Sequence, residues 1–182
     1  MSERRRVRVD DEGEPVLETD EQQEPETCDC PRLDPEDWDR VESDWSDIAF
    51  LKGSTTAVVG VPTGFEKTRD ELRRRAEQLG ATVPEDAMVL LGGGQFRRAV
   101  LLEIEGPASA KDVVRPGGIA YTRLLEAPLG AIKRVVAETE TEARERYGRA
   151  PDEMWLWYLT CRVCSRERNF ETLVLAHYRE PA

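Results

Sequence analysis

The 182 residues carry 37 acidic and 26 basic side chains, a formal charge of -11, with 39% hydrophobic residues. That length suits one domain with a real core, and the negative balance argues against nucleic acid as a direct partner, since phosphate binding needs a basic face. No apolar run approaches the length of a membrane span. A hydrophobic N-terminal signal segment is also absent, so a cytoplasmic, reducing location is expected.

The charge sits at the start of the chain. Residues 1–47 hold 18 acidic and 6 basic side chains, leaving the remainder near neutral. Residues 1–27, rich in Glu, Gln and Pro, lack the large apolar side chains needed to offset ordering entropy, and read as an acidic, disordered arm. Such an arm serves as a solubilising tail or as a docking segment for a protein partner. Residues 28–53 follow as a segment holding Cys28 and Cys30 and a short helix. Asp34 is its expected N-cap, with Pro35 at the first helical position. Trp38 and Trp45, seven residues apart, would share one face of that helix and dock it onto the body.

The body, 54–182, reads as strand, helix, strand, strand, twice over. Thr55 to Val61 is a β-branched run. Thr63 to Glu66 resembles a capping box, with Phe65, Leu72, Ala76 and Leu79 as the apolar stripe of the helix it opens and Gly80 closing it. Met88 to Leu91 and Ala99 to Glu105 are strands joined by a glycine-rich turn. Gly118 to Leu125 begins the second round, and Pro128 opens a helix reaching Tyr147, striped by Leu129, Ile132, Val136, Thr139, Ala143 and Tyr147. Met154 to Thr160 and Thr172 to Tyr178 close it. The junctions after the two helices also correspond, Gly80 to Leu90 with Gly148 to Leu156. The expected fold is therefore α+β: two tandem β-α-β-β repeats packed around a central cleft, with antiparallel sheets and helices on one side.

This tandem body resembles the GyrI-like small-molecule-binding domains. The likeness is carried by Gly118-Ile-Ala-Tyr-Thr-Arg123, the helix after Pro128-Leu-Gly130, and Trp157-Tyr158-Leu-Thr160, and it spans residues 55–178. It implies a cleft between the repeats that accepts apolar or cationic small molecules, lined by Tyr158, and some relatives hydrolyse such molecules. The family often places a carboxylate two residues before the tyrosine equivalent to Tyr158; here that position is Leu156.

Four cysteines, Cys28-Asp-Cys30 and Cys161-Arg-Val-Cys164, match the coordination number of structural zinc, and a reducing compartment favours metal over disulfide. Iron would use the same sulfurs; a redox pair or unrelated thiols are the alternatives. A site closed by four protein ligands points to a structural ion.

Strand alternation places Glu103 away from the helices, toward the presumed cleft, where desolvation would raise its pKa and suit acid-base work or a cationic ligand. A solvated strand glutamate is the plainer alternative. Met154 to Leu159 is apolar on both faces and marks a central strand. Trp155, Trp157 and Tyr158, with Tyr121 from a neighbouring strand, are candidates to stack on a flat ligand or to pack as core. His177, the single histidine, reads as a strand residue without a nucleophile to serve. Gly93-Gly94-Gln95 reads as a flexible turn. Three functions follow: a small-molecule binder, a hydrolase on the same scaffold using Glu103 and Tyr158, or a metal-stapled interaction module.

Overall fold

The computed structural model describes residues 28–58, 61–94 and 96–179, with the short pairs 8–9 and 15–16. The expectation of disorder for 1–27 falls almost wholly outside these residues; within it, β1 (Arg8–Val9) pairs antiparallel with β2 (Pro15–Val16).

Asp34 caps α1 (Pro35–Trp38) as expected, its Oδ1 accepting the Glu36 amide at 3.0 Å. The helix is a single turn. Arg40 takes a positive φ of 60°, and the chain leaves as β3 (Val41–Asp44). Trp38 and Trp45 therefore do not share a helix face. Both still dock on the sheet: Trp38 meets Trp157 edge-on at 5.9 Å, and Trp45 packs against Phe50 and His177.

β4 (Ala49–Val58) turns into β5 (Val61–Thr63), then α2 (Phe65–Gln78). The expected capping box does not form. Thr63 is still in the strand, where its hydroxyl meets that of Thr56 at 2.7 Å, so Gly64 becomes the N-cap without a side-chain bond. Leu72 and Ala76 are buried, and Phe65 and Leu79 pack alongside, as the stripe requires. β6 (Val89–Gly93), β7 (Arg97–Ile104) and the short β8 (Val113–Val114) follow. β9 (Ile119–Glu126) leads through a 3-10 turn (Leu129–Ala131) to α3 (Ile132–Tyr147), which Gly148 ends in the left-handed conformation. β10 (Glu153–Tyr158) and β11 (Glu171–Tyr178) complete the chain.

A single nine-stranded antiparallel sheet results, rather than separate sheets, in the order β3-β9-β11-β10-β6-β7-β4-β5 with β8 also on β4. Directly paired residues in an antiparallel ladder share a face. Following the pairs from Leu51 through Leu102, Val89, Leu91, Leu156, Val174 and Arg123 places α2 and α3 on the same side of the sheet. Gly53, under Leu72, lies on that side too. The opposite face holds Phe50, Leu90, Leu101, Trp155, Trp157, Leu175 and His177, and is covered by Leu33, Trp38 and Trp45.

The middle of the sheet is its thinnest point. β10 and β6 pair through only Trp155↔Gly92 and Leu156↔Leu91. A Cβ on Gly92 would stand 2.5 Å from Trp155 Cε3. Gly92→Ala is therefore expected to displace the indole and lower stability by about 1–3 kcal/mol, the usual cost of overpacking, measured as a fall in Tm with altered near-ultraviolet dichroism.

Candidate functional site

Past Leu156 and Leu91 the β10–β6 pairing does not continue, and a cavity of about 460 Å³ lies there. Ala87 and Val89 form one lip, Trp157 and Tyr158 the other, and Phe65 and Arg69 on the first turns of α2 roof it. Glu85 and Asp86 stand at the rim of the first lip. Arg69 is held by Glu66 at 2.5 Å. Cys30 and Cys161 close the far end, so the cysteine cluster and the cavity share a wall.

The four sulfurs of Cys28, Cys30, Cys161 and Cys164 all lie within 4.8 Å of one another. Around a tetrahedral ion with metal–sulfur bonds of about 2.3 Å, sulfurs stand roughly 3.8 Å apart. The donor set therefore fits one shared metal ion after small adjustments. The turn that holds the second pair is closed by Ser165 and Arg168 amides bonding back to the carbonyls of Cys161 and Cys164, each at 3.0 Å. The Cys164 amide is the largest influence on Cys161 and, with the Val163 amide at 3.4 Å, holds its thiol down to about 7. Burial, with hydrogen bonding from the other thiols, pushes Cys30 up to about 12. Such a cluster resists losing all four protons by itself, and a cation removes that resistance.

Arg168 fixes the first pair to the second. Its guanidinium donates to the carbonyls of Pro31 at 2.8 Å and Leu159 at 3.0 Å and pairs with Glu171. One arginine thus ties the Cys28–Cys30 segment to the end of β10 and the start of β11. Nothing in the sequence pattern singled it out.

The remaining expected site residues are dispersed. Glu103 does point away from the helices, sharing a face with its partner Phe50. That face is the one under the N-terminal segment, and Glu103 accepts the Met88 amide at 2.9 Å. Tyr158 lies on the opposite, helix-bearing face with Leu156, while Trp155 and Trp157 are the residues turned away from the helices. Glu103 and Tyr158 are therefore not brought together. Trp157 reaches the cavity at the open end of the seam; Trp155 does not line it and packs on Gly92. Tyr121 lies beneath α3, its hydroxyl donating to Glu142 at 2.7 Å beside an Arg123–Asp39 pair at 2.9 Å. His177 is a buried strand residue at the far end of β10 from Tyr158, donating from Nε2 to the Gly117 carbonyl at 2.7 Å.

Burial pushes Glu103 above the ordinary carboxylate range, with the Met88 amide pulling against it and Asp86 and Glu105 adding to it. A carboxyl that holds its proton more tightly when folded supports the fold most at low pH, and that support fades as pH rises from the ordinary value of 4.5 through the folded one. Glu103→Gln keeps an acceptor for Met88 and carries no charge. Thermal melts across acid to neutral pH should show its Tm gaining on wild type as pH rises; a gap that stays constant would contradict this.

Tyr158 is itself pushed up by burial, with the nearby Arg98 guanidinium pulling the other way. Its phenol stays protonated at neutral pH and is a donor. The cavity therefore combines an apolar floor, a phenol donor backed by an arginine, and free-standing carboxylates at its rim, an arrangement able to polarise a carbonyl while a water is deprotonated.

The chain is an α+β protein with a seam cavity beside a cysteine cluster able to hold metal. A family model described as bacterial hydrolase matches residues 19–177, and the chain belongs to that family. No curated protein matches it significantly. Among the described residues no helix is long and apolar enough to cross a membrane.

Proposed function

We propose that this member of the bacterial hydrolase family cleaves a small apolar or cationic molecule held in the seam cavity. The observation that carries the reading is the convergence of Tyr158, Trp157 and Phe65 with the rim carboxylates Glu85 and Asp86 in one opening of about 460 Å³. Water adds to the electrophilic carbon, and its proton passes to Glu85 or Asp86. Tyr158 donates a hydrogen bond to the oxygen that gains charge, with Arg98 stabilising the phenol's polarised state. The carboxylate then returns the proton to the leaving group. Glu103 has no part in this scheme.

The strand order supports the GyrI-like reading: β9-β11-β10 on one side of the seam mirrors β4-β7-β6 on the other, as two β-α-β-β repeats would. Zinc is the ion that best suits four thiolates without an open position, and iron is the second choice. When bound, the ion supplies a cross-link between residue 30 and residue 161, not a catalytic centre. The acidic arm would dock a protein partner.

Incubating the metal-loaded chain with small esters, lactones and epoxides, with products read by mass spectrometry, tests the reading. Product that depends on the protein supports hydrolysis. Thermal stabilisation without product would favour a pure binder. If neither is seen, and a partner is captured only while residues 1–47 remain, the interaction module stands instead.

A further inference from the structure

A second cavity, of about 350 Å³, lies on the same sheet face but under α3. Its character differs from the first. Leu91, Ile132, Val136, Met154 and Leu156 give it an apolar body, and the backbone of Gly92 and Gly93 lies along its sheet side. Its ionic groups are Arg98, Lys133 and Glu140. Glu140 already pairs with Arg144 at 3.1 Å. Lys133 has no ion-pair partner among the described residues. The Nε of Arg98 is buried and has no hydrogen-bond partner among them either. A buried guanidinium donor left unpaired costs free energy that an anionic ligand would recover. The first turn of α3 contains no acidic residue and its N-cap makes no side-chain hydrogen bond, so that end of the helix adds a positive field to the same place.

We propose that the α3 cavity binds an organic monocarboxylate with a compact apolar body, its carboxylate on Arg98 and Lys133 and its hydrocarbon among Val136, Met154 and Leu156. The size suits a bicyclic aromatic acid, and the site lies apart from the rim carboxylates of the seam cavity. Arg98 is shared with the hydrolytic reading, where it backs Tyr158, so the test reads binding of the probes and not turnover, and Ala137→Trp separates the two cavities.

Calorimetric titration of the full, metal-loaded chain with naphthoate, and separately with the neutral isostere naphthamide, tests it. Naphthoate should bind saturably and more tightly than naphthamide by about 10- to 100-fold, the worth of a charge-assisted pairing. Arg98→Gln should bring naphthoate down to the level of naphthamide. Ala137→Trp, on an exposed lining residue, should fill the cavity from its rim and abolish binding of both probes with an unchanged Tm. That variant decides the matter should Arg98→Gln fold poorly. Equal affinity for the two probes, no saturable binding of naphthoate, or binding that survives Ala137→Trp would each overturn the proposal; survival would place the probe in the seam cavity instead.

Discussion

Cys164→Ser is expected to release the bound metal and lower the stability of the whole chain. Cys164 is the buried member of the cluster and sits on the turn between β10 and β11, so its loss leaves three thiols that no longer enclose an ion. A ligand present at 1,000 times its dissociation constant stabilises the folded state by about 4 kcal/mol. For a chain of this size that is a fall in Tm of about 8–16 °C. Wild type treated with a strong chelator should fall by the same amount, and the variant should not respond to chelator. Metal analysis of purified wild type should find close to one ion per chain. Less than about half an equivalent in reducing buffer would count against the clamp. The sheet should survive in the variant, because the core around Leu90, Val100, Leu102 and Leu175 does not depend on the sulfurs. What should be lost is the hold on residues 28–31, and with it the end wall of the seam cavity.

Tyr158→Phe should cost hydrolysis about 100- to 1,000-fold in kcat, the usual consequence of removing one oxyanion donor. The substitution removes a single hydroxyl from a residue that lines the cavity and keeps its ring, so KM should move little and the Tm should hold. Glu103→Gln should leave turnover unchanged, because Glu103 does not line the cavity and its carboxylate accepts the Met88 amide, a bond that glutamine can keep. The opposite pattern, with turnover lost in Glu103→Gln and kept in Tyr158→Phe, would move the chemistry to the other face of the sheet.

The helices were legible because burial repeats every three to four residues: Leu72 and Ala76 in one, Thr139 and Ala143 in the other, lie where the stripes put them. Where two neighbours were both apolar the pattern was ambiguous, and Val135 rather than Val136 took the fully buried place. The cysteine cluster was legible because four thiols are few and chemically committed. The position of Trp45 was not, since it depends on the backbone reversal at Arg40. Strand parity put Glu103 on its correct face, yet it said nothing of what covers that face. There the N-terminal segment, with Leu33, Trp38 and Trp45, fills the space that a ligand was expected to occupy. Arg98 and Arg168 were illegible for a different reason. Among 26 basic residues no local pattern marks the one that points into a cavity or the one that ties two distant segments together. The two-residue β10–β6 ladder, which opens the seam cavity, is likewise a property of tertiary register rather than of either strand.

The most direct measurement is a crystal structure of the metal-loaded chain with a slowly turned-over member of the ester and epoxide panel. The compound should lie between Phe65 on α2 and the Trp157–Tyr158 lip, its electrophilic carbon facing Glu85 or Asp86 and its oxygen within hydrogen-bond reach of Tyr158. A compound resting on the Trp155 face beside Glu103, with the seam cavity empty, would contradict it.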